Sequence, residues 1–309
     1  MPAFMLGAMH ANFYALGAIG LWATLAALGV LLQHIPPFLL TGLSLVIGSV
    51  LALPAVLLST PYQRKQWRVA PAALGLGVFT LFGYHFFLFI ALRIAPAVEV
   101  NLVNYLWPLL MVVLAPLYLP GVVLRPVHWL AAALGFAGAA LAILSASDAA
   151  AGAASGAVVG SGIGLKIGPF IGYGLALASA FIWANFSLQT RRAALRGQHV
   201  PTAAIGLFGL ISGVLSLLCH ALLEPPVALS ARDWLLLAVM GLGPLGAAFF
   251  LWDKALKLGD ARQIGILSYL TPLGSTALLI VVSGRALSLS VAIAAAMILG
   301  AAVLGARAK

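Results

Sequence analysis

The chain has 309 residues, of which 63% are hydrophobic and only 7% are charged, and its 16 Lys and Arg against 6 Asp and Glu give a net charge of +10. Soluble domains carry roughly 25% charged residues, so this composition excludes a soluble globular protein. The basic residues lie in short loops between apolar runs and form no patch interleaved with aromatic residues. We therefore expect the lipid bilayer, and not nucleic acid, as the partner of the surface.

The apolar runs predict an all-α polytopic membrane protein with ten transmembrane helices. A helix needs about 20 apolar residues to cross the hydrocarbon core of a bilayer. The runs are continuous and rich in Leu, Ala and Gly, whereas the strands of a membrane barrel alternate apolar and polar residues. The predicted helices cover residues 11–32, 37–59, 70–91, 97–118, 127–146, 169–190, 202–223, 234–253, 261–282 and 288–306.

One long connection divides the predicted helices into two sets of five. Residues 149–168 are rich in Ala, Gly and Ser, a composition typical of a flexible linker. We therefore expect a first five-helix repeat in residues 1–148 and a second, inverted five-helix repeat in residues 169–309. Both repeats belong to one integrated membrane domain in this interpretation.

The two halves repeat at an offset of 164 residues. That shift aligns 91–94 (Ala-Leu-Arg-Ile) with 255–258 (Ala-Leu-Lys-Leu), and 105–109 (Tyr-Leu-Trp-Pro-Leu) with 269–273 (Tyr-Leu-Thr-Pro-Leu). Because each half holds five helices, the second copy enters the membrane upside down. Inverted repeats are typical of alternating-access transporters, whose substrate site lies at the midplane between the copies. The repeat therefore predicts a transporter.

The distribution of basic residues predicts the orientation of the chain. Twelve of the 16 Lys and Arg lie on the side of the membrane that holds both termini. Cytoplasmic loops carry an excess of Lys and Arg in most membrane proteins. We therefore expect a multi-pass protein with both termini in the cytoplasm.

Two prolines lie near the centres of the fourth and ninth predicted helices. Pro108 and Pro272 each remove an amide donor, which leaves the carbonyl four residues earlier, that of Asn104 or Ser268, without its helical partner. Irregular backbone at this depth is tolerated where it lines a watery cavity or is buried in protein. We predict that both prolines are hinges and that the freed carbonyls contact substrate.

Polar and aromatic side chains near these prolines predict the wall of a central cavity. Asn101, Asn104 and Tyr105 share one helix face with Pro108. Polar residues within membranes tend to be functional, although Asn and Ser also join helices and a buried Trp also packs. The candidate substrate-binding residues are Trp22, Tyr84, His85, Asn101, Asn104, Tyr105, Trp107, Trp183, Trp252, Ser268 and Tyr269.

Glu99 is the only carboxylate that lies clearly within a predicted helix, near the start of the fourth one. In one interpretation it complements the positive end of the helix dipole or pairs with Arg93. In the other it is a proton site or a substrate-amine site near the outer mouth of the cavity.

The sequence contains no pattern typical of a catalytic or metal site. The six His never pair with each other or with an acid at metal-ligand spacing on one helix, and the single Cys219 allows no intrachain disulfide. We therefore predict no enzyme activity, no cofactor, no metal and no need for an ATPase subunit. Small-residue pairs such as Gly209 and Gly213 predict close helix packing, which we assign to the inside of a monomer and not to a dimer interface.

Four segments resemble the EamA branch of the drug/metabolite transporter superfamily. They are Gly-Leu-Trp-Ala-Thr at 20–24, Ala-Val-Glu-Val-Asn-Leu-Val-Asn-Tyr-Leu-Trp-Pro at 97–108, Ala-Phe-Ile-Trp-Ala at 180–184 and Tyr-Leu-Thr-Pro at 269–272. The resemblance covers essentially the whole chain. It implies ten helices in two inverted repeats, a bacterial inner membrane and export of amino acids, particularly aromatic ones. It also implies a cavity lined by Trp22, Tyr84, Tyr105, Trp107 and Trp183.

The resulting hypothesis is alternating access without ATP. An aromatic or apolar substrate side chain packs on Trp and Tyr rings, while Asn101, Asn104 and Ser268 bind its ammonium and carboxylate. The small number of buried charges favours facilitative or weakly proton-coupled flux. A multidrug or other small-metabolite exporter of the same fold is the alternative, because a neutral aromatic cavity also accepts flat cations. A channel is less favoured, because the sequence predicts no ring of charges or carbonyls.

Overall fold

A computed structural model describes residues 3–58, 60, 69–151, 169–198, 200–283 and 289–307. Within these ranges the chain is helical and forms no β-strand, so the predicted all-α class is confirmed. Most of the predicted linker, residues 152–168, lies outside the described residues.

The described α-helices follow one another with short connections. In chain order they are α1 (Ala3–Ala23), α2 (Leu25–Leu31), α3 (Pro37–Ser49), α4 (Leu53–Leu57), α5 (Pro71–Val78), α6 (Tyr84–Ile94), α7 (Ala97–Asn104), α8 (Trp107–Tyr118), α9 (Pro126–Ala151), α10 (Pro169–Leu195), α11 (Ala204–Leu223), α12 (Ala231–Leu242), α13 (Ala248–Leu258), α14 (Ala261–Leu267), α15 (Leu270–Ser283) and α16 (Leu289–Arg307).

Eight helical stretches in the described ranges, some of them with an irregular turn inside, are long and apolar enough to cross a membrane. They are Met9–Leu31, Pro37–Leu57, Pro71–Ile94, Glu99–Tyr118, Pro126–Leu144, Phe170–Leu195, Ala204–Leu223 and Ala231–Leu258. A further apolar stretch, Leu289–Gly305, is shorter. The region of the ninth predicted helix, 261–282, is divided between α14 and α15. The chain is therefore a multi-pass membrane protein.

Local sequence signals set the starts of several helices. α3, α5, α9 and α10 each begin with a proline, whose missing N–H falls where a helix has no partner for it. α12 begins with a capping box. The Ser230 hydroxyl accepts from the Asp233 N–H, and the Asp233 carboxylate accepts from the Ser230 N–H, so two amide groups at this helix start are satisfied.

Several helices are longer than the sequence predicts. The eighth predicted helix ends at residue 253, but α13 continues to Leu258 because Asp253 and Lys257 form an ion pair of 2.5 Å along one helix face. The charged residues of this turn had favoured a loop. α10 likewise continues to Leu195, past the predicted end at residue 190, and α1 begins at Ala3, ahead of residue 11.

Two pairs of irregular turns interrupt the long helices, with an offset of 164 residues in the first pair and 163 in the second. Wide π-helical turns occur at Phe79–Gly83 and Gly243–Ala247. The α-helix is broken at residues 105–106, between α7 and α8, and at residues 268–269, between α14 and α15. π-Helical turns are rare and occur frequently at functional sites. These positions are therefore the first place to examine for function.

The described helices pack into two compact units, and each unit draws on both halves of the sequence. Unit one contains residues 1–86 and 186–260, and unit two contains residues 87–185 and 261–309. In unit one α3 packs against α11 and α12, α5 packs against α11, and α1 packs against α13. In unit two α9 packs along α16, and α8 packs against α14.

Small residues allow the helices of unit one to approach closely. A Cβ atom added at Gly48 of α3 would lie 2.6 Å from the carbonyl oxygen of Gly241 in α12. One added at Gly213 of α11 would lie 2.8 Å from the carbonyl oxygen of Gly42 in α3. These helix surfaces are therefore in contact inside the chain, as the small-residue pattern predicts.

Two clusters of small and branched residues contribute to the core of unit two. The first joins α8, α9, α14 and α16 and consists of Val112, Ala131, Ala132, Ile266 and Ala301. The second joins α6, α7 and α10 and consists of Ala91, Val100 and Ala176. Alanine side chains at these contacts keep the helix backbones close together.

The contact between Gly48 and Gly241 predicts that even one methyl group destabilises unit one. We expect Gly48→Ala to lower the midpoint of thermal unfolding in detergent by roughly 3–10 °C, because overpacking costs about 1–3 kcal/mol. Gly20→Ala is the matched control, since a Cβ there meets no atom within 4 Å and alanine favours the helix. An unchanged or higher midpoint for Gly48→Ala, at the same scan rate, would contradict this packing.

Candidate substrate site

Unit one contains an aromatic cluster around Trp22 of α1. The centroid of the Trp22 ring lies 5.1 Å from that of Trp252 and 6.1 Å from that of Phe249. Trp252 is fully buried, and its Nε1–H donates to the Ser187 hydroxyl oxygen at 3.1 Å. Buried Trp residues usually find such a partner for their N–H. The cluster brings the predicted residues Trp22 and Trp252 together.

Trp22 also contacts the π-helical turn that precedes α13. Its Nε1–H donates to the carbonyl oxygen of Pro244, within that turn, at 3.1 Å. A π-helical turn displaces carbonyl groups from the regular α-helical hydrogen-bonding pattern, so they need other donors. The indole of Trp22 supplies one and thereby fixes α1 to the irregular turn.

His85 and Tyr84 follow the other π-helical turn directly. The Nδ1 atom of His85 lies 2.6 Å from the carbonyl oxygen of Leu81, which belongs to that turn. A carbonyl only accepts, so the imidazole donates from Nδ1. The Tyr84 ring meets the imidazole edge-on, with 5.1 Å between centroids. These two predicted residues therefore pack on each other beside the turn.

Three predicted residues of unit two meet where α7 and α8 face α10. The Ser179 hydroxyl donates to Oδ1 of Asn104 at 2.8 Å. One turn further along α10, the ring of Trp183 meets the ring of Trp107 edge-on, with 6.4 Å between centroids. All four side chains are buried. Asn104 thus makes a polar contact with α10, and Trp107 and Trp183 form an aromatic contact one turn further along.

Each helix break lies two to four residues before one of the predicted hinge prolines. The break before Pro108 falls at residues 105–106, and the break before Pro272 falls at residues 268–269. At the second break the carbonyl of Ser268 accepts from the Thr271 N–H at 3.0 Å. The prediction that this carbonyl is left free is therefore wrong, because a tighter turn supplies a donor that a regular helix would lack.

The structure separates other members of the predicted stripe. Asn101 and Glu99 are exposed, and Tyr105 is half-buried. The regular rise of α7 ends at Asn104, so Pro108 does not continue its face. Glu99 lies in the first turn of α7, where a negative charge complements the helix dipole.

Ser268 and Tyr269 point into the packing of unit two. The Ser268 hydroxyl donates to the Gly265 carbonyl at 2.6 Å. Tyr269 is fully buried, and its ring covers Gly135 of α9 so closely that a side chain there would overlap it. Both residues therefore hold the second helix break in place.

Two partners in these contacts were missed from the sequence. Ser179 binds Asn104, and Ser187 binds the indole of Trp252. Both lie four residues from Trp183, one before and one after it, so they share its face of α10. This spacing is a signal that could have identified them.

The contacts described here offer aromatic rings, an amide and hydroxyl groups. Such neutral groups suit an uncharged or zwitterionic molecule with an apolar part, since they recognise polar groups without a net charge. In the described part of the chain no three His, Cys, Asp or Glu side chains come together as a metal site.

Comparisons with known proteins place the chain among transporters. The EamA-like transporter family matches it twice, at residues 9–144 and 170–306. The chain is 41% identical over 288 residues to the aromatic amino acid exporter YddG of Ancylobacter novellus, covering 92% of this chain and 93% of that protein. It is 27% identical to the protein of the same name from Escherichia coli, covering 67% of this chain and 66% of that one.

A solved crystal structure is also similar, with a TM-score of 0.82, 39% sequence identity and coverage of 96% of both chains. The two family matches together span most of the sequence. The chain therefore belongs to the EamA-like transporter family and is a transporter, not an enzyme.

Proposed function

We propose that the protein exports amino acids, above all aromatic ones, across the bacterial inner membrane by alternating access. The observation that carries this proposal is the pairing of irregular turns: Phe79–Gly83 with Gly243–Ala247, and the break at 105–106 with that at 268–269. The name of the Ancylobacter novellus relative supports the substrate. Both helix breaks and the π-helical turns are devices that transporters use at the binding site and its hinges.

The same 164-residue shift relates the helix contacts to each other. It carries the contacts of α3 with α11 and of α9 with α16 onto themselves, and it carries the contact of α3 with α12 onto that of α11 with α5. These relations support a duplication into residues 1–148 and 169–309, joined by the linker at 149–168. Ten membrane helices in two inverted five-helix repeats follow from this proposal.

The substrate binds through aromatic packing and neutral hydrogen bonds. Its ring stacks on indole rings of the kind that Trp107 and Trp183 present, and an amide such as that of Asn104 binds its charged end. The remaining candidates for the cavity wall are Trp22, Tyr84, His85, Asn101, Tyr105, Trp252, Ser268 and Tyr269. Pro108 and Pro272 act as hinges, and Glu99 is an amine or proton site at the outer mouth.

The positive-inside distribution supports an orientation with both termini in the cytoplasm. The glycine contacts of Gly48 and Gly213 lie within the chain, which supports a monomer as the working unit. Transport proceeds without an ATPase subunit and uses the substrate gradient, with at most a weak coupling to protons.

Replacing Trp107 tests the substrate site. In liposomes that contain the purified protein we expect saturable uptake of labelled Trp and Phe, with weaker uptake of Thr and Met. Trp107→Ala removes the ring that contacts Trp183, so we expect the rate of Trp uptake to fall about tenfold or more, the equivalent of about 1.4 kcal/mol. The initial rate with and without a pH gradient measures any proton coupling.

Trp234→Ala is the matched control. It makes the same chemical change as Trp107→Ala, but Trp234 is half exposed on α12. We expect its uptake rate to stay within twofold of the original. Flux of organic cations with none of amino acids would reject the proposed substrate and support a multidrug exporter. Flux that never saturates would support a channel.

Replacing Pro108 tests the hinge. Pro108→Ala restores an amide donor and favours a continuous helix across residues 105–106, so we expect a maximal flux lower by about tenfold with a nearly unchanged KM. Pro116→Ala in the same helix, α8, is the control, since Pro116 is exposed and lies away from the break. Equal maximal flux in Pro108→Ala and the original protein would exclude a hinge at this position.

A further inference from the structure

A pocket in unit one lies between α5, α10, α11 and α13. It is partly open to the outside, and its envelope, which includes open solvent, holds about 450 Å³ of space free of protein atoms. Its wall combines apolar and polar side chains. Those that matter for binding are Leu76, Phe186, Gln189, Thr190, Phe208 and Asp253.

The ammonium group of Lys257, which lines this pocket, already has three hydrogen-bond partners. Nζ of Lys257 donates to the Val200 carbonyl at 2.7 Å, to the Thr202 hydroxyl at 3.2 Å and to Oδ2 of Asp253 at 2.5 Å. An ammonium group has three N–H donors, and all three are in use. Lys257 therefore offers no donor to an anionic ligand unless one of these bonds breaks.

The carboxylate of the pocket is only half satisfied. The side chain of Asp253 is 5% exposed, and both Thr202 and Lys257 bind the same oxygen, Oδ2. Among the described residues no group donates to Oδ1. Oδ1 of Asp253 is therefore available to accept a hydrogen bond from a ligand that brings a donor.

Two neutral polar side chains stand in the same wall without internal partners. Within the ranges that the structure describes, the side chains of Gln189 and Thr190 make no hydrogen bond to the protein. The amide and the hydroxyl each supply donors that suit a carboxylate without adding a charge. Leu76, Phe186 and Phe208 leave room for an apolar group next to them.

We propose that this pocket is a second binding site of the transporter and takes a zwitterionic amino acid with an apolar side chain. Oδ1 of Asp253 receives the ammonium group, Gln189 and Thr190 donate to the carboxylate, and the apolar wall holds the side chain. The pocket lies at the end of α10 that the positive-inside distribution assigns to the cytoplasm. It is therefore a loading site for export, and this assignment rests on the proposed function.

Binding to the full-length Trp107→Ala protein tests the pocket, because that background weakens the proposed aromatic site. We expect it to bind L-phenylalanine, measured by equilibrium dialysis in detergent. Asp253→Asn removes the ammonium acceptor and Ala194→Phe fills the apolar side of the pocket, so each weakens binding about tenfold or more. Leu195→Phe is the control for the second change, since Leu195 is exposed on the same helix and lies outside the pocket wall.

Charge selectivity separates ligand binding from a structural role of the ion pair. We expect Asp253→Asn to weaken phenethylamine, which keeps the ammonium group, and to leave 3-phenylpropionate within twofold. Thr202→Val removes the hydroxyl that binds Oδ2 and Lys257 but keeps Oδ1, so its affinity for phenethylamine, which has no carboxylate, stays within twofold.

Three results would overturn the proposal: no binding of L-phenylalanine to the Trp107→Ala protein, unchanged affinity in both Asp253→Asn and Ala194→Phe, or equal losses for phenethylamine and 3-phenylpropionate. The proposed function fails by a different measurement, the absence of amino acid flux in liposomes. Saturable flux together with any of these three results would leave the exporter in place and remove only the loading site.

Discussion

Backbone hydrogen bonding in lipid is the constraint on which this structure depends. A chain in the hydrocarbon core has no water to satisfy its N–H and carbonyl groups, so helices are the default and every irregular turn needs another donor or acceptor. Side chains bond the backbone at and beside the π-helical turns: Trp22 donates to Pro244 within one turn, and Ser212 donates to Val78, directly before the other. His85 serves Leu81 in the same way.

These compensating bonds explain why polar and aromatic residues gather where the helices are irregular. Trp22 and Ser212 reach the region of these turns from other helices, whereas His85 bonds a carbonyl of the turn that directly precedes it. A helix deformed in this way stays in a defined state, yet it differs from a regular helix by only a few hydrogen bonds. In our proposal, such elements are where the helices bend during transport.

Charge is used differently at the helix ends. Asp253, Lys257 and Thr202 form one connected group that fixes the chain after α10 to the last turn of α13. Within this group, Thr202 and Lys257 both bind Oδ2 of Asp253, and Oδ1 is left for a ligand in our proposal. The contact of Trp107 with Trp183 is neutral. In our proposal the charged pocket selects the ammonium group and the aromatic contact selects the side chain.

The amino-acid sequence by itself determined the all-α class, the family and the 164-residue repeat, because hydrophobic length, proline position and motif spacing are local properties. It also identified Trp107 with Trp183, and Trp22 with Trp252, as functional candidates. Only the tertiary structure decided which hydrogen bonds form: the backbone N–H of Thr271 donates to the carbonyl of Ser268, and Asn104 binds Ser179 while Asn101 stays exposed. Glu99 was taken as the only carboxylate inside a helix, but Asp253 lies buried in α13. Such partners come from distant segments, and only folding brings them within hydrogen-bonding distance.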